Sequence, residues 1–330
     1  MKFQEFIGID VSKSYIDVFI FGAGYHAKFD NQESGFHSMI DWMQQNIACA
    51  LNQVLIAFEH TGLYSLPLSL FLSDNNYNLS IIPGLEIKRS LGIARGKNDK
   101  YDARTIAEYA YEKSHKIKLY QMPDRILLQL KRLLSYRDSL VKERTAFLSR
   151  DKELKGLLDN QEHSVMFESQ ARMIKYLDQE IQTIEDQLFN LIKEDEILYK
   201  QYNLINSIKG VGPQTALMMI VLTHGFTQFE KWRQFASYAG IAPFPYESGK
   251  FKGRTKTNHL ANKKIKALLS CCANSAIRYN PEMALYYQRR VDEGKNEMST
   301  INIVRNKLLA RIFAVVHRET PYVETCKFAA

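Results

Sequence analysis

The sequence predicts an α/β domain followed by a longer all-α region, and three observations carry that prediction. Short apolar runs with turn signals fill the first eighty residues. No proline occurs between Pro123 and Pro213, and Gly156 is the only glycine there before the 210s. Beyond Tyr202 the spacing stays mostly helical to about Arg318, with no internal repeat.

Phe6–Asp10 and Tyr15–Phe21 read as strands rich in Ile, Val and Phe, joined by a polar turn at Val11–Ser14, and a third strand near Ala27–Phe29 completes a meander. Glu33–Asn46 has helical spacing through Phe36, Met39, Ile40 and Met43, and Val54–Phe58 is a continuous apolar strand. Leu66–Leu72 is helical, with Pro67 tolerated in its first turn, and Leu79–Ile82 is a further strand. A basic loop through Lys88, Arg89, Arg95 and Lys97 leads to a helix from about Asn98 through Tyr111. Three strands, then helix, strand, helix, strand and helix, predict a mixed sheet with helices on its faces, as in ribonuclease-H-like domains.

The proline-free stretch predicts two long helices joined near residues 159–168. In the second, Ile174, Leu177, Ile181, Ile184, Leu188 and Leu191 alternate three- and four-residue steps, a heptad seam suited to an antiparallel coiled-coil hairpin or an oligomer arm. In the first, the seam runs Leu127, Leu130, Leu134, Arg137, Val141, Arg144 and Leu148. The two arginines face nucleic acid or a partner, or else lay their stems along the seam as ordinary packing. The domains expected are therefore residues 1–122, 123–200 and 201–330.

Composition narrows the function. The 330 residues carry a formal net charge of +8, which favours a polyanionic partner only weakly. Distribution says more: Lys250 to Lys266 contains seven basic residues, Lys250, Lys252, Arg254, Lys256, Lys263, Lys264 and Lys266, and no acid, a pattern suited to tracking phosphates. Four cysteines, Cys49, Cys271, Cys272 and Cys326, lack both disulfide-framework and zinc spacing. Mean hydropathy is negative, and neither a membrane span nor a leader sequence is legible. A cytoplasmic protein, at the nucleoid of a bacterial-type cell when it acts, is expected.

Four carboxylates stand out. Asp10 ends the first strand, Glu59 follows the strand Val54–Phe58, and Asp99 and Asp102 lie one helical turn apart. Acids at the carboxyl ends of adjacent strands, with an acidic pair on an abutting helix, can hold two Mg²⁺ ions about 4 Å apart and clamp a phosphodiester, with Mn²⁺ a possible substitute. Individually each acid also has a plain role as turn former, helix cap or first-turn acid. The segment Ile7–Lys13 also resembles the first phosphate loop of actin-like ATPases, but no second Gly-rich loop follows. Ile208–Ala216 looks like a helix-hairpin-helix turn, whose Gly210 and Gly212 would let backbone N–H groups reach a phosphate, or a structural Gly-Pro turn. Ser248 sits on a loop just before the basic run, where cations could hold a scissile phosphate while its hydroxyl attacks.

Gly8–Ile9–Asp10–Val11–Ser12–Lys13, Phe58–Glu59–His60–Thr61–Gly62, Lys97–Asn98–Asp99–Lys100–Tyr101–Asp102–Ala103, Gly210–Val211–Gly212 and Ser248–Gly249 together resemble the DEDD-type insertion-sequence transposases. This family includes the pilin-gene invertases and the bridge-RNA-guided recombinases. The resemblance spans nearly the whole chain and implies a RuvC-like N-terminal domain, a coiled-coil middle that helps assemble a dimer or tetramer, and a C-terminal transposase domain. By motif, Asp10, Glu59, Asp99 and Asp102 match the metal-binding tetrad, and Ser248 matches the serine that links covalently to DNA. Ser237 is a second candidate, in apolar helical surroundings. The resemblance further implies donor and target DNA and a noncoding bridge RNA as partners. A structure-selective endonuclease, in which the same acids activate water and no covalent intermediate forms, is the alternative.

Overall fold

The computed structural model describes residues 3–90, 99–159, 161–248, 251–253, 255–258 and 260–323; the side chains of residues 91–100, 248, 251 and 252 lie outside that description. The chain divides into two compact units, Met1–Met122 and Pro123–Ala330.

The first unit is a sheet covered on both faces. Strands β1 (Glu5–Val11), β2 (Tyr15–Ile20) and β3 (Tyr25–Asp30) form the meander, followed by α1 (Glu33–Asn46), β4 (Val54–Glu59), α2 (Leu66–Asp74), β5 (Leu79–Ile82), α3 (Gly84–Ser90) and α4 (Asp99–Glu112). The strand order is β3-β2-β1-β4-β5. The meander is antiparallel, whereas β4 runs parallel to β1 and β5 parallel to β4. Side chains alternate across a strand, so Ile7, Ile9 and Val11 of β1 join Ile16, Val18, Val54, Ile56 and Phe58 in a core closed by Phe36, Met39 and Met43 of α1 and Leu68 and Leu72 of α2. The opposite face, carrying Phe6, Leu55, Ala57 and Ile82, packs on Ile106 and Ala110 of α4. Burial on both faces explains why β1, β2 and β4 read as nearly unbroken apolar runs. The basic stretch expected as loop begins as helix: Lys88 and Arg89 lie in the last turn of α3. Arg95 and Lys97 fall outside the described residues.

The second unit opens with α5 (Arg125–Leu157) and α6 (Ser164–Lys193). Three cross-helix pairs define an antiparallel register: Arg137 with Glu185, Arg144 with Asp178, and the Lys155 ammonium over the Phe167 ring. Each step forward along α5 matches an equal step backward along α6, the first of them seven residues. Then follow α7 (Glu196–Asn206), α8 (Pro213–Thr223), α9 (Trp232–Tyr238), β6 (Pro243–Phe244), β7 (Glu247–Ser248), β8 (Phe251–Lys252), β9 (Lys256–Thr257), α10 (Lys263–Tyr279), α11 (Pro281–Asp292) and α12 (Glu297–Arg318). One apolar core includes the base of the hairpin (Leu127, Leu130, Leu134, Leu188, Ile192) together with α7, α8, α10 and α12. Side-chain caps punctuate the helices: Asp195, Asn262, Asn280 and Asn296 each accept from a backbone N–H of the helix that follows. The loop expected around Ser248 is instead a pair of two-stranded ladders, β6 with β9 and β7 with β8, the latter setting Ser248 opposite Phe251. Alternation over two residues is too short to register as a strand signal. Among the described residues no helix is long and apolar enough to cross a membrane.

Candidate active site

Strand alternation decides where the carboxylates point. Phe6, Gly8 and Asp10 share the face of β1 that meets α4, and Leu55, Ala57 and Glu59 share the corresponding face of β4. The parallel register pairs Ile9 with Phe58, so the next residues on both strands are Asp10 and Glu59. Neighbouring strands lie about 4.8 Å apart, which makes the two acids lateral neighbours at the carboxyl end of the sheet.

Asp102 reaches the same face because α4 lies directly against β1. Gly8 makes that approach possible: a Cβ there would stand 2.9 Å from Ala107 Cβ and nearer still to the Ala103 carbonyl oxygen and the Ala107 amide nitrogen. Ala103 and Ala107 are themselves fully buried, two small residues one turn apart that let the helix backbone touch the strand. Asp102, half-buried, immediately precedes Ala103. Asp99 begins the helix, with its side chain outside the described part.

Two neighbours of this face escaped the sequence reading. Gly84 lies against Glu59, whose carboxylate occupies the space a Cβ at Gly84 would need, so the first residue of α3 leaves room for the acid. Asp17 is the cross-strand partner of Asp10 in the antiparallel register. It is buried, with His26 Nε2 at 2.9 Å and the Lys28 ammonium at 3.8 Å from its carboxylate. The register sets Val11 opposite Ile16 and Asp10 opposite Asp17, whereas a turn at Val11–Ser14 would have set Asp10 opposite Tyr15.

Among the described residues no three carboxylate, imidazole or thiol groups converge closely enough to hold a cation by themselves. The donor set of Asp10, Glu59 and Asp102 is oxygen-only, on one face, and half-exposed, the chemistry a hard divalent cation takes.

On the second unit, Ser248 ends β7, and Lys252 ends β8, with both side chains outside the described part; Lys250 and Arg254 lie outside it altogether. Lys256 is exposed on β9. Ser237 lies in α9, where its hydroxyl donates to the Arg233 carbonyl at 3.2 Å. Lys263 is exposed in the first turn of α10, while Lys264 forms an ion pair with Asp138 of α5. Burial, with Arg137 nearby, pulls the Lys264 ammonium below its ordinary range. The seam arginines also have protein partners: Arg137 meets Glu185 at 2.6 Å, an acid that Gln214 also reaches, and Arg144 meets Asp178. Gly210 has φ +97° and packs at the backbone of Ala276, where a Cβ would fall 2.7 Å from the Ala276 nitrogen. Gly212 caps α8 ahead of Pro213, and Thr215 in the first turn contacts the buried Cys272 sulfur at 3.2 Å.

An antiparallel meander continued by two parallel strands, with acids at the carboxyl ends and a helix packed on the acidic face, fits a RuvC-like domain, here joined to a mostly helical region. The chain belongs to the IS110-type insertion-sequence transposases, enzymes of DNA recombination. A family model described as transposase, of the DEDD IS110 type, matches residues 7–160, and one described as transposase of the IS116/IS110/IS902 family matches residues 202–288. Asp10, Glu59, Asp99 and Asp102 fall within the first match and Ser248 within the second. A pilin gene-inverting protein of Moraxella lacunata is 26% identical, with 97% of this chain and 98% of the relative covered. The insertion element IS110 43.6 kDa protein of Streptomyces coelicolor is 20% identical over 96% of this chain and 95% of its own length. The transposase for insertion sequence element IS1111A of Coxiella burnetii is 25% identical over 70% of this chain and 69% of its own.

Proposed function

We propose that this transposase is a site-specific recombinase that cuts and rejoins DNA through Ser248, with Asp10, Glu59, Asp99 and Asp102 as its metal-binding acids. The observation that carries this reading is the placement of Asp10 and Glu59, from adjacent parallel strands, on the sheet face against which the helix bearing Asp102 is seated at Gly8. Two Mg²⁺ ions, or Mn²⁺ in their place, would supply charge stabilisation for the oxygens of an in-line displacement. The remaining chemistry belongs to the chain. Asp10 and Glu59 occupy neighbouring positions on one sheet face, Asp17 is held by His26 and Lys28, and α4, seated at Gly8, sets the approach of Asp102 to the sheet. The Ser248 Oγ–P bond forms as a P–O bond to the DNA sugar breaks, and the proton lost by the serine is balanced by one gained on the leaving oxygen. Attack by the hydroxyl of a second strand reverses these changes and joins the DNA.

Donor and target DNA are the substrates, a noncoding bridge RNA is the guide, and the α5/α6 hairpin is the arm through which a dimer or tetramer assembles. The heptad seam, half-buried or buried at all six α6 positions, supports a hairpin stiff enough for that role. The relatives' names, an inverting protein and insertion-sequence transposases, support rejoining over cutting alone.

The test is adduct formation. Purified protein with Mg²⁺ and its element-end DNA is expected to give a covalent protein–DNA species that disappears in Ser248→Ala. An adduct that survives this substitution refutes the nucleophile, and strand cleavage that survives without any adduct favours water activation by the same acids. RNA sequenced from the purified protein reads out the guide, and recombination by RNA-free protein refutes it.

A further inference from the structure

Helices α9 and α12 and the β6/β9 strand pair enclose an open cleft of about 1110 Å³ in the second unit. Among the described residues its lining contains Arg233, Lys256, Lys266, Lys295 and Arg305, and no aspartate or glutamate. Only Lys256 and Lys266 belong to the basic run legible in the sequence; the other three cations come from α9, α12 and the approach to α12.

Arg305 distinguishes this cleft from a solvated basic surface. Among the described residues its buried Nε has no hydrogen-bond partner, and the side chain makes a long bond of 3.4 Å from Nη1 to Asn302 Oδ1. Burial pulls the guanidinium below its ordinary range, so the charge is poorly solvated as it stands. A desolvated guanidinium with a free N–H gains most from an anion that accepts from its planar fork. The site is also tied to the β6/β9 ladder. Asn302 and Asn306, flanking Arg305 on α12, both donate to the Ile241 carbonyl, at 3.0 and 3.1 Å, two residues before β6. Trp232 at the cleft wall offers a ring face, already overlaid by the Arg233 guanidinium at 5.1 Å.

We propose that this cleft binds a phosphodiester strand of nucleic acid, with Arg305 contacting a phosphate and Lys266 and Lys295 following the backbone on either side. The inference rests on the transposase reading for its ligand class. The cleft, at about 1110 Å³ and open to solvent, has room for more than one nucleotide. Cations without acids, next to an aromatic ring, match the general pattern of grooves for single strands. DNA and RNA share this chemistry, so both are tested.

The full-length chain is titrated in EDTA against a labelled single-stranded DNA and an RNA of the same sequence, by fluorescence anisotropy over a range of NaCl. Lys266→Gln/Arg305→Gln is expected to weaken binding about tenfold near physiological salt and to flatten the slope of log K against log salt by about 1.4, two contacts at roughly 0.7 each. Lys266→Gln/Lys295→Gln, which leaves the half-buried arginine in place, is expected to show the same change in slope, and circular dichroism checks that each variant is folded. A loss in the DNA arm, the RNA arm or both supports the cleft and identifies the strand. Unchanged binding in both arms overturns it, as does an equal loss in Lys152→Gln/Lys175→Gln, two exposed lysines on the hairpin. Binding in EDTA requires no chemistry, so a persistent adduct in Ser248→Ala refutes the nucleophile alone, and unchanged binding by the cleft variants refutes the cleft alone.

Discussion

Gly8→Ala tests whether the approach of α4 to β1 positions the acids. The added Cβ would lie 2.9 Å from Ala107 Cβ, whereas carbon atoms rest at about 3.5–4.0 Å. The Ala103 oxygen and Ala107 nitrogen would be closer still, and both belong to helix backbone that cannot rotate away. The helix must therefore retreat by on the order of 1 Å, and overpacking of this kind costs about 1–3 kcal/mol. Asp102 moves with it, away from Asp10 and Glu59, and a misplacement of about 1 Å in a reacting constellation can lower the rate by roughly 100-fold. Two assays read the outcome: Mn²⁺ affinity by calorimetry and single-turnover strand cleavage, with urea unfolding as the stability control. Weaker metal binding together with much slower cleavage in a folded protein is expected. Wild-type cleavage and metal affinity in a protein destabilised by 1–3 kcal/mol would refute the reasoning, because the helix would have moved without consequence for the acids.

Two further outcomes follow from the second unit. Arg137→Ala leaves the Glu185 carboxylate partly buried with only Gln214 beside it, and a loss of about 1–2 kcal/mol is expected, between the values for exposed and buried ion pairs. A urea double-mutant cycle with Glu185→Ala isolates the pair, and a coupling near zero would show that the seam is held by its apolar residues alone. His224, half-buried after α8, has its pKa pulled below 6.5 by burial first and by Lys131 second. A base depressed in the fold binds its proton more readily when unfolded, so stability is complete above pH 6.5 and falls as the pH drops from there through the folded value. His224→Asn tolerates the left-handed φ of 50° at this position and should flatten the thermal-unfolding profile between about pH 7 and 5. An unchanged acid slope would assign it to other groups.

Local pattern made much of this protein legible in advance. Strands β1, β2, β4 and β5 are apolar because both sheet faces are covered, and helices α5 and α6 follow from a proline-free stretch with a heptad seam. The motif around each acid carried the family, because carboxylates at strand ends and on one helical turn are spaced by chain geometry. The ladders around Ser248 were not legible, since two-residue strands contain no period.

By itself, then, the sequence determined the strands, the hairpin helices, the acidic quartet and the family. Only the tertiary structure decided which charges are already matched and which line a cleft. Arg137, Arg144 and Lys264 look like nucleic-acid contacts in sequence, and the fold gives each a carboxylate. Arg305 and Lys295 look like nothing in sequence, and the fold sets them with Lys266 in a cleft that no acid lines among the described residues. The same holds for Asp17 beside Asp10 and Gly84 beneath Glu59. The physical reason is range: strand and helix periods act over a few residues, whereas pairing register, close approach and desolvation depend on chain segments that meet only when the core packs.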